Sequence, residues 1–279
     1  MKIIRSVAEM QAQARKWQSE GKTVALVPTM GFLHRGHLSL VQIANQRAEV
    51  TVVSIFVNPT QFGPQEDFDS YPRNFEKDEE LCRQNGVEAI FYPDSAEMYA
   101  PDHSTWVVES KLSTPLCGKS RPIHFRGVTT VVTKLFHAVN PSIAVFGQKD
   151  AQQALVIERM VRDLNFSLQV VLGPIVREDS GLAMSSRNKY LTLTERQDAI
   201  AIYRGLAKVE EEYHGGERDA NTLSDIVRTE ICAAGGKVDY VELVSRAELR
   251  NVVTVTEPAL LAVAAFFGKT RLIDNCFLG

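Results

Sequence analysis

The sequence has little of what would tie a protein to a membrane, a nucleic acid or an oxidising compartment. It has only 4 cysteines in 279 residues, Cys82, Cys117, Cys232 and Cys276, at wide and irregular spacings with no C-x-x-C. That pattern excludes a disulfide framework or a dithiol redox centre and leaves reduced, mostly buried thiols. No apolar stretch approaches the roughly 18 residues a membrane-spanning helix needs. The longest candidate, Leu260 to Phe267, suits a buried strand. The opening MKIIRSVAEMQAQARKWQSEG has no unbroken apolar segment, so a cytoplasmic protein without a secretory signal is expected. The net charge is only −3 and no Lys/Arg block occurs, which argues against a nucleic-acid partner. The Walker-type G-x-x-x-x-G-K-[ST], the dinucleotide fingerprint G-x-G-x-x-G, internal repeats and low-complexity tracts are all missing.

What is present is an α/β pattern. Hydrophobic residues make up 44% and charged residues 23%, enough for a packed core without disulfides or metal. The spacing predicts a helix over residues 6–19, with Ser6 as cap, Glu9 as its capping-box partner and Gly21 as stop. Strands are expected at 24–27, 50–57, 87–92, 142–146 and 168–172, with helices between them ending near Gln46, Asn85, Val139 and Asp163. Strand–helix–strand units of this length give parallel pairing and right-handed crossovers. Residues 93–123 carry four prolines and form a long irregular connection, either functional or hiding short elements. Further on, Thr194-x-x-Gln197 reads as a capping box opening a helix to about Tyr213, and Asp219 caps another to about Ala234. Strands at 238–243, 259–267 and 270–277 then follow with no helices between them, which predicts a small antiparallel sheet. The expected fold is α/β. A Rossmann-like parallel sheet forms a nucleotide-binding catalytic domain over 1–175, and a smaller α+β lid domain occupies 176–279.

The chain turns on residues 24–41, VALVPTMGFLHRGHLSLV. An apolar strand is stopped by Pro28, a corner follows at Thr29, Met30 and Gly31, and His34-Arg35-Gly36-His37 opens a helix. A strand, a glycine turn and a helix start together make an anion site, because free N–H groups and the helix dipole point at the ligand. Read alone, His34 and His37 fit equally a helix cap with a half-buried neighbour. A zinc reading is poor, since helical zinc pairs are usually spaced i, i+4 and no third ligand stands out. Gly36 leaves room for close approach to the backbone. Gln61, in the loop NPTQFG after the second strand, suits a hydroxyl or carboxylate. His124 and Arg126 at a helix start fit either an anion contact or an exposed charged turn. The strand–glycine–helix plan recurs at Gly147-Gln148-Lys149-Asp150, where Lys149 offers a point charge to phosphate. There Asp150 reads as the N-cap and Gln153 as its capping-box partner. Finally PIVREDSGLAMSSRN, residues 174–188, offers Ser185, Ser186 and Arg187 to phosphate oxygens.

Three loops, HRGH, GQKD and MSSR, thus converge on one nucleotide. Together with FVNPTQFG, DFDSYPR, HFRGV, REDSGLAMSSRN and the closing TRLIDN, they make the whole chain resemble the pantoate–β-alanine ligases. These belong to the HxGH nucleotidyltransferase superfamily, related to class I aminoacyl-tRNA synthetases. The resemblance implies that pantoate attacks MgATP to give pantoyl adenylate and pyrophosphate, and that β-alanine then displaces AMP. It implies ATP contacts at Met30, Gly31, Phe32, Leu33, His34, Arg35, Gly36 and His37, at Gly147 to Asp150, at Val176, and at Met184 to Arg187. It further implies pantoate at Gln61 and Gln153, β-alanine beside Gln61, and catalytic roles for His34, His37 (as proton donor), Lys149 and Arg187. Mg²⁺ is expected on the ATP phosphates with no protein metal site, and a homodimer through the first domain is expected. The superfamily's KMSKS loop is AMSSR here, which leaves the phosphate charge to Arg187 and Lys149. A cofactor-type adenylyltransferase and a nucleotide-binding module without turnover are the competing readings.

Overall fold

The computed structural model describes residues 1–64 and 66–279. Its larger sheet has six strands: β1 (Lys2–Ile4), β2 (Val24–Thr29), β3 (Val50–Ile55), β4 (Ala89–Phe91), β5 (Ile143–Gly147) and β6 (Gln169–Gly173). All pair in parallel, in the order β1-β4-β3-β2-β5-β6. The helices of this part are α1 (Val7–Ser19), α2 (Arg35–Arg47), α3 (Phe75–Gln84), the single turns α4 (Ser95–Met98) and α5 (Cys117–Ser120), α6 (His124–Val139) and α7 (Ala151–Asp163).

The apolar run of β2 follows from its place. Side chains alternate across a strand, and helices cover both faces. Val24 and Leu26 therefore join the core of Met10, Trp17, Val132 and Ile157, from α1, α6 and α7. Ala25 and Val27 join Leu40, Val41, Ala44 and Cys82, from α2 and α3. β2 has β3 on one side and β5 on the other, so the strand order reverses there. A crevice opens beyond the carboxyl ends of β2 and β5, where open α/β sheets bind ligands. HRGH follows β2 and GQKD follows β5, which puts both motifs at its edges.

The remaining chain forms α8 (Leu193–Asp198), α9 (Ile200–His214), α10 (Ala220–Ala233) and the strands β7 (Lys237–Ser245), β8 (Ala259–Phe267) and β9 (Thr270–Leu278). The three strands are antiparallel in the order β7-β8-β9. Their inner face packs on α9 and α10 through Ile202, Leu206, Leu223, Val227, Leu261 and Val263.

Several local expectations differ from the structure. β1 escapes the periodicity because three residues give no pattern. β3 ends at Ile55, short of Val57, and β4 is confined to Ala89–Phe91. The 93–123 connection hides α4 and α5. Ser6 caps α1, but the Val7 N–H donates to Glu97, and Glu9 returns no capping bond. The capping box lies at Thr192-x-x-Glu195, two residues before the expected one, and an ionised carboxylate takes the amide's place in it. That box opens only the short α8.

Candidate active site

The HRGH turn is built by local hydrogen bonds. His34 is the N-cap of α2, and its Nδ1 accepts the Gly36 N–H at 3.2 Å. The His37 Nδ1 accepts the His34 N–H at 3.3 Å, and the two rings lie 4.0 Å apart. With both Nδ1 atoms accepting, each neutral ring carries its proton on Nε2 and keeps that N–H free to donate. A Cβ on Gly36 would sit 3.0 Å from the His34 ring, so the close approach of the imidazole also requires a glycine here.

Burial pushes His34 down from the ordinary 6.5 to about 4, helped by the Lys149 charge. It holds His37 well below the ordinary value, with His34 and Lys149 adding to the effect. Burial, more than the helix N-terminus, keeps the pair neutral. Because the folded pKa lies below the unfolded one, the stability His34 contributes is present above 6.5 and lost as pH falls through about 4. Histidine NMR is expected to show Nε2–H tautomers for both rings and no titration down to pH of about 5. A midpoint above 6.5 for either ring would contradict this.

Behind the turn stands Asp78 of α3, 1% exposed. It accepts the N–H groups of Phe32 and Leu33, each at 2.7 Å. Gly31 and Phe32 both adopt positive φ, 83° and 53°, and Phe32 is held there without a glycine's freedom. Burial raises the Asp78 pKa against the pull of the two N–H donors. Asp78→Asn turns an NH₂ toward a backbone donor and leaves one buried group unsatisfied, a loss of about 1–3 kcal/mol. A lowered thermal midpoint together with slower turnover is expected, and an unchanged midpoint would reject the clamp.

The cleft has empty space of about 1230 Å³ in and above it. Lining it are Met30, His34, Gly36, His37, Gln61, Gly147, Lys149, Asp150, Gln153, Val176, Met184, Ser185, Ser186 and Arg187. Five expected ligand residues do not line it. Gly31 and Phe32 face Asp78, and Leu33 is buried in the core. Arg35 points outward, 3.7 Å from Asp179. Gln148 is bonded to Asn275. Residue order puts them in the motif, but the turn's curvature directs them away from the crevice.

At the GQKD turn, Asp150 makes no side-chain cap, contrary to expectation, because residues Gln148–Asp150 form a 3₁₀ turn before α7 starts. Asp150 and Gln153 therefore remain directed to the cleft, with Lys149 Nζ 3.6 Å from Asp150 Oδ2. The MSSR loop is already partly engaged. The Ser185 Oγ accepts the Arg187 N–H at 3.2 Å, and the Ser186 hydroxyl bonds Tyr71 OH at 3.1 Å. Arg187 donates Nε and Nη2 to Asp67 at 3.0 and 2.8 Å. Burial alone would lower the Arg187 pKa, but Asp67 outweighs it and the net shift is upward. Its Nη1 edge remains for a ligand.

Gln61 stands on a short 3₁₀ turn that α6 approaches closely. Its Oε1 accepts from Asn58 Nδ2 at 3.1 Å, and Nε2 lies 3.2 Å from the Met30 sulfur. His124 is buried and its Nδ1 sits 3.0 Å from the Gln61 carbonyl oxygen. Arg126 stacks on Trp106 at 4.4 Å. The pair is thus more than a bare charged turn, since His124 braces the Gln61 backbone and Arg126 packs its guanidinium on an aromatic ring. The sequence reading missed the apolar wall of the cleft, Val128, Val131, Val132 and Leu135 on one stripe of α6, with Phe56. Its i, i+3, i+4, i+7 spacing was visible but reads equally as core. A second cavity runs toward β8 and β9 and shares Met30, Gln61, Lys149, Asp150, Gln153, Ser185 and Arg187 with the cleft.

A family profile described as pantoate-beta-alanine ligase matches residues 2–277. The chain belongs to the pantoate–β-alanine ligase family. Membership makes it an enzyme, a ligase. It is 52% identical over 280 residues to the pantothenate synthetase of Thermotoga neapolitana, covering 100% of both chains. It is 51% identical to that of Pelotomaculum thermopropionicum, covering 100% of this chain and 99% of the relative. The crystal structure of pantothenate synthetase from Thermus thermophilus matches with a TM-score of 0.94 at 42% identity, covering 99% of each chain. A pantoate–β-alanine ligase from Francisella tularensis, crystallised with β-γ ATP and β-alanine, matches with a TM-score of 0.81 at 30% identity, covering 99% of this chain and 97% of that one. Like those ligases, this one pairs a six-stranded parallel sheet with a small antiparallel one.

Proposed function

We propose that the enzyme condenses (R)-pantoate with β-alanine to pantothenate through a pantoyl adenylate. The observation that carries the reading is the convergence of two half-buried neutral imidazoles, each with a free Nε2–H, and Lys149 on one cleft. ATP lies across HRGH, GQKD and MSSR, with Mg²⁺ on its phosphates as part of the substrate. Pantoate takes the apolar pocket of α6, its dimethyl carbon against Val131, Val132 and Leu135 and its polar groups at Gln61 and Gln153.

The pantoate carboxylate is ionised at neutral pH, so it needs no general base. Its oxygen forms a bond to the α-phosphorus as the bond to the β-phosphate oxygen breaks, and pyrophosphate leaves. Charge builds on the phosphate oxygens, and His34, His37, Lys149 and the free edge of Arg187 are donors or cations placed to meet it. In this reading His37 donates a hydrogen bond and gives up no proton. The β-alanine amine then attacks the acyl carbon, AMP leaves with the bridging oxygen, and the amine loses a proton. Gln61, on the wall common to both cavities, borders both acids.

Residue 175 is the boundary between the nucleotide-binding part and the lid part, and the working enzyme is a homodimer through the first part. No helix of the described residues is long and apolar enough to cross a membrane, and a cytoplasmic site of action fits the reduced thiols. Incubation with ATP, Mg²⁺, pantoate and β-alanine tests the function. AMP and pyrophosphate release that requires both acids for turnover supports it. AMP release without β-alanine in multiple turnovers, or a nucleotide left joined to the product, overturns it.

A further inference from the structure

The closing TRLIDN motif has no part in the chemistry above, yet its Asp274 and Asn275 are buried polar residues, 4% and 3% exposed, in the middle of β9. Neighbouring strand residues point to opposite faces, so the two reach different partners. The Asn275 Nδ2 donates to the Gln148 and Lys149 carbonyl oxygens at 2.9 and 3.1 Å, and its Oδ1 accepts from Gln148 Nε2 at 3.4 Å. Both amide hydrogens are thus spent on the GQKD turn. That turn has no side-chain cap of its own, since Asp150 makes none. Asp274 accepts from Arg177 Nη1 and Nη2 at 2.6 and 3.2 Å. Arg177 lies at the base of the hairpin that carries Val176 and Met184, where Arg177 bridges Ala183 and the Met184 N–H donates to the Val176 carbonyl. Two consecutive residues of the second sheet therefore hold two walls of the first sheet's cleft.

We propose that Asn275 is a positioning residue for Lys149, and that β9 through Asn275 and Asp274 is a structural part of the ATP site rather than only a cover over it. The physical reason is leverage. The Lys149 ammonium sits on a flexible stem, and its reach to a phosphate depends on where its backbone is pinned. A misplacement of about 1 Å at a charge-stabilising group costs on the order of 10²-fold in rate. Asn275 pins that backbone through both of its amide hydrogens, from the wall of the second cavity that adjoins the cleft.

The inference rests on the adenylating function proposed above, so wild-type AMP formation is measured first; its absence rejects that function, not this one. Asn275→Ala and the isosteric Asn275→Asp, which loses both donors, are then compared in single-turnover adenylate formation. The expected result is a loss of about 10- to 100-fold with pantoate KM within about twofold and a cooperative melt retained. In a Lys149→Ala background the same substitutions should cost less than about threefold, because a residue acting through Lys149 has nothing left to position. Wild-type rates, or an equal loss with and without Lys149, overturn the proposal. Failure of both variants to fold assigns Asn275 to stability alone and overturns it as well.

Discussion

Lys149→Ala lowers the rate of adenylate formation by roughly 10² or more, and His37→Ala does the same. Each tenfold is about 1.36 kcal/mol of transition-state stabilisation, so a single lost donor or cation is asked for about 2.7 kcal/mol. Lys149 qualifies because it lines the cleft and, among the described residues, its Nζ pairs only loosely, 3.6 Å from Asp150 Oδ2. By contrast Arg187 already gives two donors to Asp67. His37 qualifies because its ring is largely desolvated and neutral and its Nδ1 is occupied, which leaves Nε2–H for the charge that develops on phosphate. Water cannot replace that donor cheaply in a site where the ring is desolvated. Rapid-quench single turnovers with saturating ATP and pantoate measure the step directly. Pantoate affinity should move far less than the rate, since Gln61, Gln153 and the α6 wall are the groups assigned to pantoate. Wild-type-like rates in both variants would reject the charge-stabilising role.

Gly127→Ala destabilises the fold and raises the pantoate KM by about tenfold. A Cβ at this position on α6 would lie 2.5 Å from the Thr60 carbonyl oxygen and 2.6 Å from the Gln61 nitrogen, both backbone atoms. Neither can swing away as a side-chain tip could. The helix must retreat from the turn, and Asn58, which donates to the Gly127 carbonyl at 3.1 Å and to Gln61 Oε1, retreats with it. Overpacking of this kind costs about 1–3 kcal/mol. The catalytic consequence falls on Gln61 and spares the nucleotide loops, so ATP KM should change far less than pantoate KM. Thermal unfolding and steady-state kinetics check both halves. An unchanged midpoint with unchanged pantoate KM would contradict the packing argument.

Local chemistry was legible in the sequence, and partnership across the chain was not. The buried strand at Val24–Val27, the caps at Ser6 and Asp219, and the stop at Gly21 follow from nearest-neighbour rules, and the structure has them. The position of HRGH and GQKD follows from strand–turn–helix order. The Asp150 cap misled because a 3₁₀ turn, whose carbonyls Asn275 holds, intervened. Asp78 with Phe32, Arg187 with Asp67, and Asn275 with Lys149 are separated by 46, 120 and 126 residues. No periodicity or cap rule encodes such pairs, since each is fixed only after both sheets are in place. The α6 wall was visible as a stripe, but a stripe does not say whether it faces core or ligand. Family resemblance supplied what pattern could not, the identity of the acids.

The central claim is that the acid's own oxygen attacks the α-phosphorus. Pantoate labelled with ¹⁸O in its carboxylate is incubated with the enzyme, ATP, Mg²⁺ and β-alanine, and the AMP is analysed by mass spectrometry. Attack through an acyl adenylate predicts one ¹⁸O in each AMP formed, because the amine displaces AMP by breaking the acyl carbon–oxygen bond. Unlabelled AMP, or label in inorganic phosphate released with ADP, would contradict the mechanism.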